Sequence, residues 1–167
     1  FELIFASGKA TRLWVDLIDL GGKPCGLGAR DILRLEAGLP LHGNEIDVDT
    51  NPYESNLGRF VEIDRPSYIA GGALQRIKAA GTNRKLVGFT MTGRGVARHG
   101  YRIMHGLQQI GAVTSGSYSP TLDTNIGMGY VPTASSSLGS QFRIDVRGRS
   151  IDAEVTALPF YSRKKHL

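Results

Sequence analysis

Arg30 and Arg34 stand one helical turn apart in the run Gly26-Leu27-Gly28-Ala29-Arg30-Asp31-Ile32-Leu33-Arg34-Leu35-Glu36-Ala37-Gly38. That spacing sets two guanidinium groups on one stripe of a helix, which can present cations while the other stripe buries. Ala29, Ile32, Leu33 and Ala37 recur at the helical period and are expected to form the buried stripe, with Gly38 as the stop. The other residues that invite a chemical role are Glu2, Asp31, Arg98 and the terminal basic cluster Arg163-Lys164-Lys165-His166. Together they form no recognisable catalytic motif: the chain has no glycine-rich phosphate loop, serine elbow or paired-carboxylate arrangement. His42, His99, His105 and His166 lack metal-ligand spacing, so no metal is expected. Cys25 is the only cysteine, which excludes an intrachain disulfide and reads as a packed thiol.

Net charge narrows the partners without choosing among them. The formal charge of +5 and a pI near 9.6 favour something anionic: nucleic acid, an acidic protein or a polycarboxylate ligand. With 41% apolar residues in 167, an ordinary core is within reach. No apolar run approaches the roughly 20 residues that span a bilayer, and residues 1–5 lack a signal-peptide pattern, so a soluble protein is expected. Phe1 is not an initiator methionine, and the strand-like start follows no turn or cap. The expectation is a chain cut from something longer.

These residues need elements to hold them. Residues 1–5 read as a strand, and Ser7 as the cap of a helix reaching residue 20 with Leu13, Trp14, Leu17, Ile18 and Leu20 on its apolar side. After the Arg30 helix come an extended stretch at 58–63 and a short helix at about 72–80, stopped by Gly81. From residue 85 the texture is β-rich, with strands expected at 86–91, 101–104, 111–117, 126–131, 142–146 and 150–157. Six strands at that spacing predict a small barrel, with Gly148 in a hairpin turn and 135–139 as a flexible loop. The fold class expected is α+β: the end of a mixed α/β domain, 1–84, followed by a six-stranded antiparallel β-barrel, 85–167.

The Gly26–Gly38 run, continuing into Pro40-Leu41-His42-Gly43-Asn44-Glu45-Ile46-Asp47, resembles the glycine-cleavage-system T-protein (aminomethyltransferase) family. The resemblance extends through Leu86-Val87-Gly88-Phe89, Val113-Thr114-Ser115-Gly116-Ser117-Tyr118-Ser119-Pro120-Thr121-Leu122, Asn125-Ile126-Gly127-Met128-Gly129-Tyr130-Val131-Pro132 and Leu158-Pro159-Phe160, and so covers essentially the whole chain. It departs at Leu57-Gly58-Arg59-Phe60, where many relatives carry Leu-Gly-Trp-Thr, and at residues 68–74, Tyr68-Ile69-Ala70-Gly71-Gly72-Ala73-Leu74.

The resemblance implies a tetrahydrofolate-dependent aminomethyltransferase that takes the aminomethyl group from the lipoyl arm of H-protein, releases ammonia and passes the one-carbon unit to tetrahydrofolate. It implies folate-contacting roles for Glu2, which matches a glutamate that accepts hydrogen bonds from the pterin ring, and for Arg30, which matches the arginine of an Ala-Arg-Asp triplet. Asp31, Arg98, Tyr161 and Arg163 fall at further family positions around the ligand. The family's catalytic aspartate matches no residue of this chain, so the chain alone is expected not to turn over. Two other readings share this module: the folate domain of a dimethylglycine- or sarcosine-dehydrogenase-like flavoenzyme, and a non-catalytic folate-binding regulator. The resemblance further implies a cytoplasmic location in a bacterium or a mitochondrial one in a eukaryote, with no membrane partner and no role for nucleic acid.

Overall fold

The computed structural model describes residues 2–64 and 69–163. Phe1, Tyr68, Lys164, Lys165 and His166, all singled out above, lie outside the described residues. Contacts divide the chain into two compact units, Phe1–Asp31 and Ile32–Leu167.

In the first unit the expected opening strand is not formed: residues 2–6 take no regular structure, and among the described residues no strand pairs with them. Helix α1 (Ala10–Asp19) follows a 3₁₀ turn at Ser7–Lys9, and Ser7 does not cap it. The helix ends on Gly21 in the left-handed region, φ +90°, with Gly22 N–H donating to Leu17 O and Gly21 N–H to Ile18 O. Its apolar side chains remain largely uncovered, Trp14 by 56% and Leu20 by 85%.

Helix α2 (Leu27–Glu36) begins in the first unit and ends in the second, on Gly38 (φ +65°), with Leu39 N–H donating to Arg34 O. The expected buried stripe is displaced: Ala29, Leu33 and Ala37 are exposed, Ile32 is half-buried, and Leu35 and Glu36 are the residues buried. Where an extended stretch was expected at 58–63, Gly58–Phe60 is a 3₁₀ turn, and a side chain at Gly58 would strike the Tyr53 ring. Helix α3 (Gly71–Ala80) forms as expected and stops at Gly81, φ +76°.

The six expected strands all form: β1 (Arg84–Met91), β2 (Arg102–His105), β3 (Gln108–Ser119), β4 (Thr124–Pro132), β5 (Gln141–Val146) and β6 (Arg149–Thr156). They pair antiparallel in the order β1-β4-β3-β2-β5-β6 and close back onto β1, which leaves no strand edge unpaired. Alternation along the strands sends Val87, Phe89, Ile103, Val113, Ile144 and Val155 into the interior, where the Phe89 and Phe142 rings meet edge to face at 5.5 Å. A second cluster gathers Leu35 of α2, Leu86, Ile126 and Met128, with Leu158 and Phe160 packed beside it. It covers the other face of β1 and β4 and holds the end of α2 on the barrel wall. The β5–β6 hairpin turns through Arg147 and Gly148, both at positive φ, and Gly148 N–H donates to the Asp145 carboxylate. The stretch expected to be a flexible loop is instead tied to β6: Gly139 N–H donates to Val155 O, and Val155 N–H to Ser140 O.

Candidate functional site

The structure distributes the six sequence-predicted residues along the chain and through both units. Glu2, Arg30 and Asp31 belong to the first unit and are exposed. Arg98, Tyr161 and Arg163 belong to the second. Exposed Arg98 follows β1 and donates from Nη1 to Gly116 O on β3 at 3.3 Å, which ties its loop to the barrel. Half-buried Tyr161 donates its backbone N–H to Glu36 O, pinning the segment after β6 to the end of α2, and Arg163 is exposed. The expected pair of free cations on α2 is divided, because the Arg34 side chain is only 10% exposed and is engaged.

Arg34 anchors the most developed polar cluster of the second unit. Its Nη1 reaches Glu45 Oε2 at 2.7 Å and its Nη2 donates to Ser115 Oγ at 2.7 Å. Glu45, with a side chain 0% exposed, also accepts the Leu41 N–H through Oε2, while Asn44 Nδ2 donates to Ser115 Oγ. Glu45 Oε1 is buried and has no hydrogen-bond partner among the described residues. Ser115 is aimed at this cluster by a bulge in β3, where the register to β4 shifts between Val113 and Ser115. Two residues further along α2, buried Glu36 accepts Ser119 Oγ at 2.5 Å and Thr121 Oγ1 at 3.0 Å. Glu36 and Arg34 thus join α2 to β3, and Glu45 and Asn44 tie the loop that follows α2 into the same cluster.

A neighbouring group sits over Tyr130. The Arg84 guanidinium lies 4.7 Å from the ring centre and pairs with Glu54 at 2.9 Å, while the phenol donates to Glu45 O. Burial pushes the Tyr130 hydroxyl up to about 12, against the opposing pull of the Arg84 charge. Asp47 is held below the usual carboxylate range, first by the Thr50 hydroxyl and then by the Asp49 N–H. An open cleft of about 420 Å³ is lined here by Asn44, Asp47, Arg84, Thr114 and Tyr130. A second, of about 390 Å³, is mostly apolar, with Arg59 and Lys85 among its lining residues. Neither cleft is lined by any of the six predicted residues. Among the described residues no cluster of three His, Cys, Asp or Glu is placed to hold a metal, and no helix is long and apolar enough to cross a membrane.

The chain therefore carries exposed carboxylate and guanidinium groups at Glu2, Arg30, Asp31, Arg98 and Arg163, and a buried ionic scaffold around Arg34 and Glu45. Comparison with known proteins decides what family shares it. Residues 84–162 match the glycine cleavage T-protein C-terminal barrel domain, and residues 1–65 match the GCVT N-terminal domain. The chain belongs to the glycine cleavage T-protein family. Among curated members, an aminomethyltransferase of Halothermothrix orenii is 50% identical over 164 residues, 96% of this chain and 46% of that protein. One from Synechococcus sp. (strain WH7803) is 46% identical over 161 residues, 96% of this chain and 44% of that protein. The crystal structure of the glycine cleavage system aminomethyltransferase T from Bartonella henselae superposes with a TM-score of 0.86 at 36% identity, covering 92% of this chain and 44% of that one. The chain spans less than half the length of these T-protein relatives.

Sequence reasoning passed over Glu36, Glu45, Ser115 and Ser119. All four lie inside the runs that carry the family resemblance, and a carboxylate beside a helix stop or within a turn gives no outward sign of burial. The bulge that turns Ser115 toward Arg34 has no signal in local spelling.

Proposed function

We propose that this chain forms part of a tetrahydrofolate-dependent aminomethyltransferase of the glycine cleavage system. The observation that carries the reading is the match of nearly the whole chain, at up to 50% identity, to proteins named aminomethyltransferase. In the proposed reaction the carbon–sulfur bond of an aminomethyl group on the lipoyl arm of H-protein breaks, ammonia leaves, and the methylene carbon bridges two nitrogens of tetrahydrofolate. The two protons those nitrogens lose go to the ammonia and to the freed thiol. In a bacterium this chemistry runs in the cytoplasm.

The part assigned to these residues is binding and orientation. Glu2 accepts pterin N–H groups, and Arg30 holds an anionic group of the ligand, with Asp31 beside it to orient the guanidinium. Arg98, Tyr161 and Arg163 contribute further contacts. A planar ligand with several polar edges and an anionic tail calls for this donor and acceptor set. We also assign residues 1–84 to the folate-binding domain and 85–167 to the barrel domain.

Titration of tetrahydrofolate against the protein as expressed from its gene tests the reading. Arg30→Ala is expected to weaken binding about 10- to 100-fold, the loss of one charged hydrogen-bonding partner. Glu2→Gln is expected to weaken it less, because one acceptor oxygen remains. Tetrahydrofolate affinity that is indifferent to both substitutions would overturn the assignment of these residues.

A further inference from the structure

The open cleft of about 420 Å³ beside Tyr130 takes no part in the function proposed above, and none of the residues assigned to tetrahydrofolate lines it. Two opposite charges do line it, Arg84 at the start of β1 and Asp47 in the loop that follows α2. Among the described residues no ion pair joins them.

Each charge is fixed through one atom and keeps another for use. Arg84 Nε pairs with Glu54 Oε2 at 2.9 Å, Glu54 Oε1 is held by Asn51 Nδ2 at 2.7 Å, and the guanidinium carbon lies 4.7 Å from the Tyr130 ring centre. Both Nη groups of Arg84 are without a partner among the described residues. Asp47 Oδ1 accepts the Thr50 hydroxyl at 2.7 Å and the Asp49 N–H at 3.0 Å, and its Oδ2 has no partner among the described residues. These two bonds keep the Asp47 carboxyl ionised, and the positive field of Arg84 adds to them, so the two charges lie within electrostatic reach of each other. Asn44, tied to Ser115 through Nδ2, leaves its side-chain carbonyl as a second acceptor in the same loop. Ile110, Ala112, Val131 and Pro132 supply an apolar strip along the cleft.

We infer that this cleft binds a free α-amino acid with an apolar side chain: the carboxylate on the Arg84 fork, the ammonium on Asp47 and the Asn44 carbonyl, the side chain along Ile110, Val131 and Pro132. A guanidinium whose two Nη groups are free takes a carboxylate in bidentate fashion, and a carboxylate oxygen without a partner takes an ammonium. Fixed charges of both signs also select. A simple acid meets repulsion from Asp47, and a simple amine meets it from Arg84, so only a molecule carrying both groups satisfies the pair. Glu54, Tyr130 and Thr50 already hold the two charged side chains in place, and little freedom is lost when a ligand arrives. The inference does not rest on the function proposed above.

The test titrates the protein as expressed from its gene with L-leucine, L-leucine amide, N-acetyl-L-leucine and glycine, following amide chemical shifts by NMR. L-leucine is expected to saturate with a dissociation constant of about 1 mM or below and to move the amides of Asn44, Thr50 and Gly111. Capping either end of the ligand is expected to weaken binding about tenfold, the loss of one charged hydrogen-bonding partner, and glycine is expected to bind more weakly because it covers no apolar strip. Asp47→Asn keeps the acceptor for Thr50 and removes the charge; it is expected to weaken L-leucine about tenfold and to leave N-acetyl-L-leucine unchanged or improved, a reversal that a general loss of structure does not produce. Arg84→Lys, which keeps the charge for Glu54 and loses the fork, is expected to weaken L-leucine while leaving the preference for it over N-acetyl-L-leucine intact. No shift at these amides in 20-fold excess over the expected constant, equal binding of L-leucine and N-acetyl-L-leucine, or glycine binding as tightly as L-leucine each overturns the inference, and none of these results bears on tetrahydrofolate binding through Arg30.

Discussion

Arg34 and Glu45 show how much can depend on two side chains. Each is withdrawn from water, and their 2.7 Å contact is what makes that withdrawal tolerable. Glu45→Ala strands the guanidinium and is expected to cost about 3–5 kcal/mol in urea unfolding, whereas Arg34→Met with Glu45→Leu together are expected to cost less than Glu45→Ala alone. Tyr130 sets a second expectation. Its folded pKa of about 12 lies above its ordinary value of 10.0, so the folded state holds the proton more tightly. The associated stability is complete below pH 10, declines as pH rises toward 12, and is absent from Tyr130→Phe; alkaline unfolding of the two proteins measures it. Asp47 acts in the opposite direction. Its carboxyl is held below 3.8, so its contribution is present above that pH and lost on acidification, a loss that Asp47→Asn should abolish. At this scale the sequence spoke unevenly. Arg34 was visible as a cation at helical spacing, yet its burial depends on Glu45 and Ser115, the latter 81 positions away, and local periodicity carries no information about such partners.

Among the elements, the strands were legible and the unpaired segments were not. All six barrel strands follow from alternating apolar residues broken by turns, because each satisfies its backbone on two neighbours. The expected strand over 1–5 is absent from residues 2–5, and the extended stretch expected at 58–63 opens on a 3₁₀ turn, because among the described residues neither has a neighbouring strand to complete a ladder. Helix α2 was placed correctly, but its buried side was not, since the barrel wall rather than the helix's own period selects Leu35 and Glu36. The glycines of the barrel separate two kinds of constraint. A Cβ on Gly111 would lie 1.9 Å from Tyr130 O, a backbone atom that cannot move aside, and Gly111→Ala is expected to cost about 3 kcal/mol or more. Gly148 faces open space and is constrained by its φ of +84° alone, so Gly148→Ala is expected to cost only about 1 kcal/mol. Chemical denaturation of both variants compares them directly.

For the whole molecule, stability is expected to be unequal between the two units. Within residues 1–167 taken by themselves helix α1 buries none of its residues, and a ten-residue helix without tertiary cover is marginal in water. Its amides are expected to exchange with deuterium orders of magnitude faster than those of β1, β3 and β4, which exchange only with opening of the barrel. Comparable protection in the two places would contradict that expectation.

Closure of the barrel also has a consequence in time. The last seam joins β1 to β6, pairing Gly88 with Thr156 and Met91 with Ala153, residues more than sixty positions apart. At about 5–20 residues per second, a ribosome needs several seconds to make the chain between them. Throughout that interval nascent β1 has β4 at most on one side and an open, apolar edge on the other. The strand is a brief lodging place for a chaperone, or for the same strand of a neighbouring nascent chain, until β6 emerges to occupy it.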